Sequence, residues 1–118
     1  MKLTKETKDW LQALRSGQYT QTEYILAEKI NDEVCYCALG LLYKTAGIDI
    51  LEYWIETKNE FNAKSKFIEL NKKINLSFDD NWKLVMWNDK LRLSFYEIAN
   101  KIEKELISES ETNVAREA

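Results

Sequence analysis

Residues 35–46 read CYCALGLLYKTA and are followed by Gly47. Whether this run is helix or strand decides the fold. It is small and apolar around most of a helical circumference, which predicts a buried helix of three turns stopped by Gly47. Gly40 inside it costs about 1 kcal/mol against alanine in helix propensity. Close approach of another backbone to a position without a Cβ would offset that cost.

Working outward from this run, residues 4–16 predict a first helix. Thr4 caps it, Trp10, Leu11 and Leu14 make its apolar stripe, and Gly17 ends it. Residues 18–21 are short and polar and read as a loop. The stretch 24–34, with Asn31 and Asp32 as turn residues, fits two short strands or a frayed helix; strands are the reading adopted. A further short strand is expected over 48–55. Residues 62–74 read as a helix with Phe67, Leu70 and Ile74 inward and the lysines outward. Ser77, with an acid three residues on, opens another helix, in which Trp82, Val85 and Met86 share a face. Asn88-Asp89 then breaks that run as a turn. The reciprocal spacing of Ser94 and Glu97 is a capping box, opening a helix with Phe95, Ile98, Ala99, Ile102 and Leu106 on its apolar face. The expectation is a single α+β domain over residues 1–107, with about four helices and one or two short strands. An all-α fold is the alternative, and 108–118 read as a frayed acidic tail.

The totals narrow the function classes. Of 118 residues, 17 are Lys or Arg and 20 are Asp or Glu, a formal charge of −3. Residues 103–118 carry five acids and two bases, so the rest is neutral overall. That balance argues against tracking duplex nucleic acid, which needs a clustered cationic excess. Lys64, Lys66, Lys72 and Lys73 around Glu69 form one local excess, a solvated face or a patch for an anionic partner. No stretch resembles a signal peptide, and the apolar run from Val34 to Tyr43 is about half of a bilayer span. The expectation is a soluble cytoplasmic protein with no membrane contact.

The chain has no histidine, which removes the commonest general base and metal ligand together. Cys35 and Cys37 are too few for a tetrahedral metal site and read as reduced core thiols. Asp79, Asp80 and Asp89 could hold Mg²⁺ for phosphodiester hydrolysis, although carboxylates after Ser77 also suit a helix N-terminus. No cofactor is expected. Aromatics are abundant, with four Trp, six Tyr and four Phe. Tyr19 falls outside any helical period, near Arg15 and Gln21. A ring, a cation and an amide would together stack on a nucleobase, pair with phosphate and read a base edge.

Three blocks of the chain carry a resemblance: WLQALRSGQYTQ (10–21), CYCALG (35–40), and ND (88–89) followed by SFYEIA (94–99) and IE (102–103). Together and in this order they resemble a family of small bacteriophage-encoded proteins. Residues 41–76 lie outside the resemblance. It implies phage origin and, by analogy, action on the host: sequestering a small anionic nucleotide signal such as a cyclic oligonucleotide, or blocking a host protein. The candidate ligand-binding residues are Arg15, Tyr19, Gln21, Asn88 and Asp89. A homo-oligomer is expected, because symmetric ligands suit dimeric sites. For the host-protein reading, the candidate surface is the lysine face of 64–73 with the aromatics of 48–55. The metal-dependent phosphodiesterase is the remaining alternative.

Overall fold

A computed structural model describes residues 1–48, 50–51 and 60–107. Helix α1 (Lys5–Ser16) starts where its sequence says it should: the Thr7 N–H donates to Thr4 Oγ1 at 3.3 Å. Gly17 ends it at φ 73, the left-handed conformation in which a Cβ is unwelcome. Trp10, Leu11 and Leu14 are buried, and the Trp10 indole N–H donates to the carbonyl of Ala38 at 2.9 Å.

A three-stranded sheet follows, made of β1 (Thr20–Gln21), β2 (Ala27–Ile30) and β3 (Glu33–Tyr36), in the order β1-β3-β2. Strands β2 and β3 form an antiparallel hairpin with Ile30 opposite Glu33. Asn31 and Asp32 make its two-residue turn at φ 51 and 66, the mirror-image turn that matches the strands' right-handed twist. Strand β1 pairs in parallel with β3, with Thr20 opposite Cys35. Two expectations are corrected here. Thr20 and Gln21 belong to a strand, not a loop. The helix expected over 35–46 is shorter, because Cys35 and Tyr36 lie in β3 and α2 spans Ala38–Thr45. The reason is that β3 is the central strand, covered on both edges, and such a strand is as uniformly apolar as a buried helix.

Three more helices follow: α3 (Glu60–Ile74), α4 (Phe78–Val85) and α5 (Phe95–Lys101). Leu70 and Ile74 are buried, and Phe67 lies against Tyr43 with ring centroids 4.5 Å apart. Lys73 on α3 pairs with Glu6 on α1 at 2.7 Å. That contact, with a backbone hydrogen bond, holds the Glu6 carboxyl down at about 2. The strand expected over 48–55 falls mostly outside the described residues, and Ile50 and Leu51 are helical. The acidic tail 108–118 also falls outside them. Among the described residues no helix is long and apolar enough to cross a membrane.

Both expected capping boxes are present. Ser77 and Asp80 cap α4, with the Asp80 N–H donating to Ser77 Oγ at 3.1 Å. Ser94 and Glu97 cap α5, with the Glu97 N–H donating to Ser94 Oγ at 3.2 Å and the Ser94 N–H to Glu97 Oε1 at 3.1 Å. The second bond draws the Glu97 carboxyl below its ordinary range. Ser94→Ala should therefore lower stability by about 1 kcal/mol. The check is the urea midpoint at an unchanged slope; an unmoved midpoint would mean the box contributes nothing.

Helix α4 does not stop at Asn88-Asp89 as a turn would require. It widens into a π-helical turn over Met86–Lys90, closed by the Leu91 N–H donating to the Met86 carbonyl at 2.9 Å. The extra residue per turn lets Trp87, Asn88 and Asp89 all point inward in succession, which an amphipathic α-helix does not allow. A second π turn, Ile102–Leu106, ends α5 and buries Ile102 and Leu106.

Candidate functional site

Three of the five sequence-derived candidates meet at that π turn. Asn88 is 2% exposed. Its Oδ1 accepts from Gln21 Nε2 at 2.8 Å and from the Ala38 N–H at 3.1 Å. Its Nδ2 donates to the Thr22 carbonyl at 2.9 Å and to Asp89 Oδ1 at 2.7 Å. Gln21 Nε2 also donates to the Leu93 carbonyl at 2.8 Å. Asp89 Oδ1 accepts the Tyr24 N–H at 3.0 Å. One amide thus ties the end of β1 to the first turn of α2, and its neighbours extend the tie to the 22–26 loop and the segment before α5.

Arg15 and Tyr19 stand apart from this network. The Arg15 guanidinium donates from Nη2 to Asn100 Oδ1 at 2.8 Å and pairs through Nη1 with Glu103. Tyr19 meets Tyr36 edge-on, with centroids 6.0 Å apart. Both Arg15 and Gln21 have structural duties: Arg15 links α1 to the end of α5, and Gln21 is a strut of the buried network.

Asp79, Asp80 and Asp89 have separate environments. Asp79 is exposed, Asp80 closes its capping box, and Asp89 is buried against Tyr24. Among the described residues no group of three or more Cys, Asp or Glu could hold a metal ion. Cys35 and Cys37 are free and buried. Cys37 is the N-cap of α2, its Sγ accepting the Gly40 N–H at 3.3 Å. Burial pushes both thiols up, so they are protonated at neutral pH and poor nucleophiles.

Above the network lies a cavity of about 220 Å³. Tyr24, Ile25, Leu26, Leu39, Leu84 and Val85 make its apolar wall, with Cys37, Asn88 and Asp89 at its polar side. Tyr24 takes φ 67, unusual for an aromatic residue, and Asp89 holds its N–H there. The ring stands 64% exposed with Lys90 Nζ 5.6 Å from its centroid. Beside the cavity, α4 turns outward a row of Phe78 (84% exposed), Trp82 (61%) and Val85 (36%). Val85 belongs both to this row and to the cavity wall.

The spacing of Trp82 and Val85 puts them on one face of α4 but does not say that this face points outward. The available signal was that α4 carries two apolar faces. Leu84 fills the inner one, so the other is surplus to the core. Compared with family models, with curated proteins and with solved structures, the chain matches none.

Proposed function

We propose that this chain is a non-catalytic binding protein that acts by gripping another protein through the cavity and the Phe78–Trp82–Val85 row. Its resemblance to small bacteriophage proteins supplies the setting, a phage accessory factor that counters host defence by blocking a host protein. The observation that carries the reading is the exposure of Phe78, Trp82 and Tyr24 around an apolar cavity. Large aromatic residues at the mouth of a pocket are the usual anchors of protein interfaces. The sequence points host-protein binding to another surface, the lysines of 64–73 with the aromatics of 48–55; those aromatics, Tyr53 and Trp54, lie outside the described residues. Of the lysines, Lys73 is engaged with Glu6.

Sequestering a nucleotide asks more of the geometry. It needs a cation free to meet phosphate, and Arg15 is already forked onto Glu103 and Asn100. Lys90 stands over the Tyr24 ring at the cavity mouth, but the polar side of the cavity itself carries the Asp89 carboxylate, which repels phosphate.

Trp82→Ala should change the melting temperature little, since the ring is mostly outside the core, yet abolish partner capture. The check is a pull-down from host extract with wild type and variant, followed by reconstitution from purified components. A partner held equally by both proteins would move the binding face elsewhere. A panel of cyclic oligonucleotides tested by thermal shift gives the opposite control. A ligand that stabilises wild type but not Arg15→Lys would return the function to nucleotide sequestration, because lysine cannot reproduce the planar fork.

A further inference from the structure

The exposed row on α4 has one partner whose chemistry the sequence already states: a second copy of itself. At 100° per residue, Phe78, Trp82 and Val85 fall within about 60° of one another on the helix. Asp79 and Lys83 lie together along one flank of that row, both exposed. Among the described residues neither has an ion-pair partner. Packing two such helices antiparallel about a twofold axis near Asn81 sets Asp79 of each copy opposite Lys83 of the other. Parallel packing about a twofold would set this flank of the two copies on opposite sides of the seam, where the charges do not meet. The antiparallel arrangement also opposes the two helix dipoles.

Knob and hole lie on the same face, as a self-complementary interface requires. The row ends at Val85, which is also a wall of the cavity, so a ring carried on one copy can reach the cavity of the other. The area suffices for a weak dimer. A buried aromatic side chain contributes about 150–250 Å². At their exposures, Phe78, Trp82 and Tyr24 offer about 400 Å² per copy. With Ile25 and Val85 the total across two copies is about 1,000 Å², the low end for a specific interface.

We infer that the chain self-associates as an antiparallel α4–α4 dimer that covers the binding face, and that a partner protein must displace the second copy. This rests on reading that face as a binding surface.

Sedimentation velocity on the full chain from about 5 to 500 µM tests it, with an expected Kd of roughly 10–100 µM. Asp79→Lys alone and Lys83→Glu alone should each weaken the dimer about ten-fold, and the two together should restore it to within about three-fold. Neither position serves a capping box, but each charge suits its end of the helix dipole, so the variants should melt a few degrees below wild type and remain folded at the temperature of the run. A monomer throughout the range would overturn the inference, as would a double variant no tighter than the singles. The two readings fail separately. A monomer that still loses its host partner on Trp82→Ala sinks only the dimer. A charge-swappable dimer whose host partner ignores Trp82→Ala sinks only the host-binding role of the face.

Discussion

Gly40→Ala is expected to be the most damaging single-methyl change in the chain, leaving little or no folded protein at 37 °C. A Cβ at position 40 would stand 1.8 Å from the Leu26 carbonyl oxygen and 2.7 Å from its carbon. Real Cβ contacts essentially never fall under 3.0 Å, so the two backbones must separate by more than an ångström. The obstacle is main chain, so no rotamer relieves it. That same carbonyl accepts the Cys37 N–H at 3.1 Å, and Cys37 caps α2, so separation loosens the hairpin and the helix start together. Ordinary overpacking costs about 1–3 kcal/mol. A clash with immovable backbone belongs with the rare losses above about 4 kcal/mol, out of a total stability of about 5–15. Gly17→Ala is the control, since nothing lies within 4 Å of its Cβ and only the φ of 73° opposes the change, a cost of about 1 kcal/mol. Denaturant midpoints of the two variants decide the matter. Equal losses would show that α2 crosses the 22–26 loop less closely.

Gly40 also shows what was legible in the sequence. A glycine inside an apolar helical run implied a close backbone neighbour, and Leu26 is that neighbour. The caps at Thr4, Ser77 and Ser94 and the turn at Asn31-Asp32 were readable for the same reason: each is a local chemical requirement met by residues within three or four positions. What failed needed information from elsewhere in the chain. Cys35 and Tyr36 look helical until Thr20 and Ala27 arrive on either side of them. Asn88-Asp89 looks like a turn because no short-range rule announces a π turn, whose stabilisation comes from Gln21, Thr22 and Ala38, fifty to sixty-seven residues away.

The candidate site divides along the same line. Polar residues with no visible local duty read as ligand contacts. Gln21, Asn88 and Asp89 do gather in one place, but their side-chain hydrogen bonds run to the protein itself. They set the shape of the cavity, with Asp89 accepting the N–H of Tyr24 in its left-handed conformation. The large residues left exposed on α4 are apolar, and in one sequence an exposed Trp82 reads no differently from a buried one.

Asn88→Ala and Asn88→Asp should separate the hydrogen-bonding from the electrostatic part of that network. Alanine removes four bonds at a site 2% exposed. Gln21 keeps Leu93, and Asp89 keeps Tyr24. The Ala38 N–H and the Thr22 carbonyl lose their Asn88 partner, each worth about 1–3 kcal/mol when left buried and unpaired. A loss of about 3–4 kcal/mol is expected, with little dependence on pH between 5 and 8. Aspartate keeps the acceptors for Gln21 and Ala38 but loses both donors. It also sets a second carboxylate beside Asp89, whose oxygen accepted the Asn88 amide at 2.7 Å. Burial and the neighbouring negative charge both raise the folded-state pKa of the introduced carboxyl above its unfolded value. Stability linked to a raised pKa is present at low pH and lost as pH rises through the folded value. Asn88→Asp should thus be worse than Asn88→Ala at pH 8 and recover as pH falls toward 5, where one shared proton restores a donor between the two carboxyls. Denaturant midpoints across that range read the sign directly. Parallel pH profiles for the two variants would mean that position 88 is open to water.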